Sequence, residues 1–245
     1  MSALAALFER HRLRAVVDAA VEGRLGSVTS DHPERPSVAR LSLGCYAIVG
    51  GDPGHGSARE LLEAVEPPRE IVYGNDAAWR RLVLEVHGAR VSDRPMRLFD
   101  ASRLDRSTLA RLASTCPPEY RLTRMDASHA CQLDRELEPH ALQVFGGPEH
   151  FAREGFGYGI VTPDGTLACA ATSYTVSSRH MEVAIATRVA HRGHGLAAIA
   201  AAALMVHSLD AGLEPAWSAS NPVSKRLAER LGYVPADECE VLLLA

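Results

Sequence analysis

The stretch IATRVAHRGHGLAAIAAAALMVHS, residues 185–208, decides how this chain is read. An extended run, HMEVAIAT, ends at Thr187 and leads through Arg192, Gly193 and Gly195 into an alanine-rich helix expected over Leu196 to Leu209. Backbone N–H groups at the start of such a helix have no intrahelical partner and carry partial positive charge. Glycines let a ligand approach them closely, so the turn offers a seat for an anionic group such as a phosphate. The same glycines would also serve a tight turn with nothing bound, and spacing alone leaves both readings open.

Outward from that turn, FGYGIVTPDGTLACAATSYTV reads as two extended runs joined at Pro163-Asp164-Gly165, with HMEVAIAT as the third of three antiparallel strands. A strand at PAWSA, a helix from Val223 to Leu231 and a strand at CEVLLLA complete an αβαβ tail. Toward the N-terminus the pattern predicts one helix from Ala3 to Val21, a polar loop to Arg40, and a strand at CYAIVG. Helices near Ala58–Val65 and Asp76–Val86 follow, with strands at Ile71 and Met96 and a short helix after Asp105. Cys116-Pro117-Pro118 ends that helix and is read as the domain boundary. The division expected is 1–118 and 119–245, both of mixed α/β class.

With 245 residues, 47% apolar, 23% charged and a formal charge of −4, the chain is of ordinary globular composition. That charge gives no broad attraction for nucleic acid or an acidic membrane, so neither is an expected partner. The longest apolar run, Leu196 to Val206, falls short of the ~20 residues that span a bilayer. Five cysteines without a CxxC pair point to a reducing cytoplasm, and the start, MSALAALFERHRLRAV, lacks the pattern of a secretory leader. Two other phosphate loops fail: Gly51 to Gly56 has Ser57 where a nucleotide loop needs lysine, and no GxGxxG follows a strand. His191 and His194 share an HxxH spacing, but no third ligand lies near in sequence, so no metal is expected.

Arg192-Gly193-His194-Gly195-Leu196-Ala197 resembles the R-x-x-G-x-[GA] signature of the GNAT superfamily of acetyl-CoA-dependent N-acetyltransferases. WSASNPVSKRLAERLGY resembles that family's second block, N-x-x-[AS]-x-x-L-x-x-x-L-G-[FY]. Together with FGGPEHFAREGFGYGIV, these segments look like the subgroup that includes zwittermicin A resistance proteins. The resemblance runs from about Glu119 to Tyr233 and is loose before it. It implies a largely antiparallel mixed sheet with helices on both faces, preceded by a smaller α/β domain. It further implies that amides of Arg192 to Ala197 hold the coenzyme A pyrophosphate. The pantetheine arm would lie along Ile185, Ala186 and Thr187, where this strand splays from PAWSA. Asn221 matches the family asparagine that touches the cofactor, although Asn221-Pro222 is also a favourable helix cap.

Transfer of an acetyl group to an amine needs a deprotonated nucleophile and, at the end, a protonated thiol. Glu182 shares a strand face with Ala184 and Ala186 and is the candidate base; its other reading is a solvated edge charge. Ser224 is the small residue of the second block and a candidate near the thiol. Where the family often carries a tyrosine that protonates the thiolate, this chain has Ala228, which leaves Tyr174, Ser224 or water for that step, or departure of the thiolate unassisted. Tyr233 and Trp217 read as core or pocket wall. The expected activity is direct acetyl transfer from acetyl-CoA to a primary amine of a small molecule. Its rival is a coenzyme A-binding regulatory module without turnover, and residues 1–118 are given a dimerisation (homodimer) or acceptor-gating role.

Overall fold

The computed structural model describes residues 2–245, which fall into two compact units. The first comprises residues up to Leu98 together with Ala236–Ala245, and the second Phe99–Pro235. In chain order the first unit runs α1 (Ala3–Ala6), α2 (Arg14–Val21), β1 (Ser27–Ser30), β2 (Val38–Leu43), β3 (Tyr46–Gly51), α3 (Gly56–Glu63), β4 (Arg69–Val72), α4 (Ala77–His87) and β5 (Val91–Asp93). The chain changes unit within β6 (Met96–Asp100). The second unit holds α5 (Arg106–Ala113), β7 (Arg121–Arg124), α6 (Ala127–Gln132), α7 (Pro148–Glu154), β8 (Gly157–Val161), β9 (Leu167–Val176) and β10 (His180–Thr187). It continues with α8 (Leu196–Asp210), β11 (Glu214–Ala219) and α9 (Pro222–Leu231); the chain returns within β12 (Val234–Cys239) to β13 (Val241–Leu244).

The strands form a six-stranded sheet, β1-β2-β3-β4-β13-β5, and a seven-stranded sheet, β12-β6-β11-β10-β9-β8-β7. Adjacent pairs among β7 to β10 are antiparallel, whereas β10 and β11 are parallel. The mixed, largely antiparallel architecture expected from the sequence is therefore present, and the three-stranded meander lies where the Pro163-Asp164-Gly165 turn put it.

Two features of the second unit position its site. β9, LACAATSYTV, is buried along nearly its whole length because both faces of the sheet are covered, which is why it reads as a continuous run rather than an alternating one. α8 packs on β8, β9, β10 and β11 and against α5 and α9. A helix enclosed on all sides must be apolar around its circumference, and residues 198–205 of α8 are buried without exception. Its alanines keep the helix close to the sheet.

Three expectations are corrected. The helix expected over Ala3–Val21 breaks between α1 and α2, since Phe8 and His11 turn inward there. His11 Nε2 donates to the carbonyl oxygen of Val49 at 2.8 Å, and burial lowers its pKa to about 4. The polar loop to Arg40 contains β1 and the first half of β2. The chain also passes between the units elsewhere than at 118/119, at 98/99 and again at 235/236. Leu109 of α5 shares a core with Ile160, Leu204 and Trp217, so the diproline turn lies inside the second unit. At the C-terminus, β13 is hydrogen-bonded between β4 and β5 in the first sheet, and its unbroken VLLL reflects that central place.

Leu242, 1% exposed, packs with Ile71, Trp79 and Val83 in the core of the first unit. Leu242→Ala is expected to destabilise that unit by about 2–5 kcal/mol. Urea unfolding followed by Trp79 fluorescence in a Trp217→Phe background checks this. A loss below about 1 kcal/mol would contradict the central place given to β13.

Candidate active site

The site begins where two neighbouring strands stop pairing. β10 and β11 are in register only at His180–Glu214, Met181–Pro215 and Glu182–Ala216. β10 then continues to Thr187, hydrogen-bonded to β9 alone, while β11 continues to Ala219. A bulge between Glu182 and Val183 marks the point of divergence. A cleft of about 760 Å³ opens there, and all of its lining residues belong to the second unit.

One wall is β10, with Val183, Ile185 and Thr187 facing inward; Ala186 lies on the opposite face, as strand alternation requires. The opposing wall is Trp217 and Ser218 of β11 with Ser224, Leu227 and Arg230 of α9. Asn221 caps α9, its side chain accepting the Ser224 N–H at 2.9 Å, and it also lines the cleft. Ser224 Oγ accepts a hydrogen bond from Trp217 Nε1 at 3.0 Å, which leaves the hydroxyl's own proton to be donated.

The floor is the glycine turn. Gly193 and Gly195 have φ of +84° and +76°, a left-handed backbone that side-chain-bearing residues rarely adopt. Gly195 caps α8 without any side-chain hydrogen bond. Among the described residues, no chain group accepts the backbone N–H of Gly193, His194, Gly195, Leu196 or Ala197. A Cβ placed on Gly193 would meet nothing within 4 Å, so the space before the turn is open. Arg192 donates from Nε to the Thr187 carbonyl at 3.2 Å, and Arg230 Nη2 lies 3.9 Å from where a Gly195 Cβ would stand. His191 lines the cleft, its Nδ1 2.9 Å from the Tyr120 hydroxyl. No aspartate or glutamate is among the lining residues. Unpaired amides, two guanidinium groups and open space form a cradle suited to a diphosphate.

Glu182 stands at the vertex. It is 3% exposed, does not itself line the cleft, and among the described residues no arginine, lysine or histidine offsets its charge. Its Oε1 accepts the Ser218 hydroxyl at 2.7 Å and the Ser218 backbone N–H at 3.0 Å. That N–H lies on β11 just past the last paired residue, so the carboxylate replaces the partner the ladder no longer supplies. Burial raises the Glu182 pKa to about 7 against the two hydrogen bonds, which lower it. Tyr233, whose ring lies 5.4 Å from that of Trp217, donates to the Pro215 carbonyl at 2.9 Å. Its phenol is held far above its usual pKa by burial and by Glu182 and Glu214.

Of the residues singled out in the sequence, Ile185, Thr187, Arg192, Gly193, Gly195, Leu196, Ala197, Asn221 and Ser224 line one cleft. His194 does not; its Nδ1 lies 3.1 Å from the Arg192 carbonyl. The solvated-edge reading of Glu182 is overturned by its burial. Ala228 is fully buried, and Tyr174 is not part of the lining. Sequence reasoning missed His191 as a lining residue, Ser218 and Arg230. Arg230 was within reach, since Ser224, Leu227 and Arg230 recur every third residue on one face of α9.

The sequence profile of the GNAT acetyltransferase family matches residues 5–242. Among solved structures, the chain is similar to a GCN5-related N-acetyltransferase-like protein from Streptococcus suis, with 27% identity and a TM-score of 0.86 over 98% of this chain and 96% of that one. A GCN5-related N-acetyltransferase from Kribbella flavida has 16% identity and a TM-score of 0.61, covering 100% and 97%. A putative acetyltransferase of the GNAT family from Novosphingobium aromaticivorans has 18% identity and a TM-score of 0.58, covering 94% and 97%. The last two are likenesses of fold. No curated protein matches the chain.

The buried Glu182 carboxyl has a testable cost. In the folded chain it keeps its proton up to about pH 7, whereas its ordinary value is 4.5. The folded state therefore binds the extra proton between these values, and stability falls as pH rises through that window, on the order of 3 kcal/mol in all. Glu182→Gln keeps an acceptor for Ser218 and carries no charge. Urea unfolding at pH 5 and pH 8 should give the variant a flatter dependence, with a gain at pH 8 on the order of 2–3 kcal/mol. Equal slopes in both proteins would contradict a carboxyl titrating in this environment.

Proposed function

We propose, from the premise that this chain belongs to the GNAT acetyltransferase family, that it transfers an acetyl group from acetyl-CoA to a primary amine of a small molecule. The observation that carries this reading is the cleft itself: a strand edge released from its neighbour, ending in a glycine turn whose amides from Gly193 to Ala197 have no partner among the described residues. A pantetheine arm carries amides, and a strand edge recognises amides as it would a peptide. The Arg192 N–H is already donated to the Val189 carbonyl at 3.2 Å, so in this reading the N–H groups of Gly193 to Ala197, with the guanidinium groups of Arg192 and Arg230, hold the diphosphate, while the backbone of Ile185, Ala186 and Thr187 holds the arm. Asn221 contributes its side-chain amide near the acyl end.

Acetyl-CoA supplies an activated thioester at the vertex of the cleft. The chain's own part is to orient, to exclude water and to move protons. Glu182 takes a proton from the acceptor ammonium, and a carboxyl with a pKa of about 7 is well matched to that task near neutral pH. Ser224 donates to the departing thiolate, for which its hydroxyl is disposed by the hydrogen bond it accepts from Trp217. Attack is direct, with both substrates bound, and orientation of the pair supplies on the order of 7–11 kcal/mol. The acceptor belongs to the amine-bearing small molecules, such as aminopolyols, aminoglycosides and polyamines, in keeping with the zwittermicin-resistance-like segments, and the reaction takes place in the cytoplasm.

One observation favours a binding module without turnover: Ala228 is buried and brings no hydroxyl to the thiol end. Thiol release from acetyl-CoA, measured against putrescine, L-lysine, kanamycin and serinol, separates the two. Acceleration by at least one amine is expected. Tight acetyl-CoA binding with no acceleration by any of them would favour the module.

The turn has its own test. Gly195→Val puts a β-branched residue at φ +76°, where strain costs about 1–3 kcal/mol. Calorimetry should find acetyl-CoA affinity lowered at least about tenfold with the far-ultraviolet spectrum unchanged. Affinity equal to that of the wild type would argue against this seat.

A further inference from the structure

Among the described residues that line the cleft, Ser218 is the one hydrogen-bonded to the buried carboxylate. Ser218 lines the cavity and its hydroxyl donates to Glu182 Oε1 at 2.7 Å, while Glu182 is absent from the lining. A carboxylate that is 3% exposed, without a cationic partner and set just behind a polar wall, is an expensive arrangement for a purely structural acceptor. A bound amine has no direct line to it. Between the cleft and the carboxylate stands Ser218, whose hydroxyl already donates to it.

We infer that Ser218 relays the acceptor's proton to Glu182, so that the base of the proposed reaction is a Ser218–Glu182 pair rather than the glutamate alone. As the ammonium N–H bond breaks, its proton passes to Ser218 Oγ, and the proton Ser218 held passes to Glu182 Oε1. The electron pair of that N–H bond stays on nitrogen. The products are a neutral amine, an unchanged serine hydroxyl and a protonated Glu182 carboxyl. The Ser218 backbone N–H, donating to the same oxygen at 3.0 Å, fixes the carboxylate throughout. The inference rests on the acetyl-transfer reading and goes beyond it by naming the path of the proton.

The experiment is a double-variant cycle on the full-length protein, with acetyl-CoA and whichever of putrescine, L-lysine, kanamycin or serinol most accelerates thiol release. Ser218→Ala, Glu182→Gln and the double variant should each lower kcat about 10²-fold, with no further loss on combination and with acetyl-CoA affinity within twofold of wild type. Ser218→Ala should also move the acid limb of the rate–pH profile upward, since the carboxylate loses a hydrogen bond to its charged form. Ser218→Thr, which keeps the hydroxyl, should restore the rate to within a few-fold. Wild-type turnover by Ser218→Ala, or losses that multiply in the double variant, would overturn the relay and leave the acetyl-transfer reading standing. Silence of the wild-type protein with all four amines would overturn both.

Discussion

The site depends on a broken ladder. After Glu182 and Ala216, β10 and β11 no longer hydrogen-bond, and two strand edges face each other in the interior of a sheet. Main-chain groups left this way must find partners, because an unpaired buried N–H or C=O costs about as much as a lost hydrogen bond. The chain resolves part of the debt itself, by turning the Glu182 carboxylate to the Ser218 N–H. The remainder stands open along Val183–Thr187 and at the glycine turn. A ligand rich in amides and ending in phosphates satisfies both, which connects a backbone irregularity to a chemical preference.

Small residues make this geometry reachable. The alanines of α8 let the helix pack on β8 to β11. Gly193 and Gly195 then reverse the chain through left-handed conformations, and the amides that follow have no acceptor among the described residues. Arg192 and Arg230 add positive charge where no acidic side chain lines the cleft. Electrostatics and shape therefore point the same way at the mouth, while burial at the vertex raises the Glu182 pKa to about 7.

The parts that could be read from the sequence are those encoded locally. The glycine turn, the Asn221 cap and the hairpin at Pro163-Asp164-Gly165 each have their signal within a few residues, and each element lies where that signal put it. What was not legible depends on partners distant in the chain. Glu182 and Ser218 are 36 residues apart, and nothing local in either strand says that one will accept from the other. β13 follows β12 in sequence yet lies between β4 and β5, so its grouping with the second unit failed. The break between α1 and α2 likewise comes from His11 reaching Val49, a tertiary contact that overrides a continuous helical pattern. The diproline at Pro117-Pro118 is a true turn, but a turn divides domains only when the segments on its two sides do not share a core.

The claim that bound coenzyme A occupies the open edge of β10 and the amides of the turn is tested most directly by amide hydrogen exchange, in the free protein and at saturating coenzyme A. In the free protein the N–H groups of Gly193 to Ala197, and those of Val183–Thr187 that point away from β9, should exchange rapidly. With the ligand bound they should slow at least about tenfold, while the β7–β8 pair stays as it was. Saturation confirmed by calorimetry, with exchange at these amides unchanged, would contradict the account.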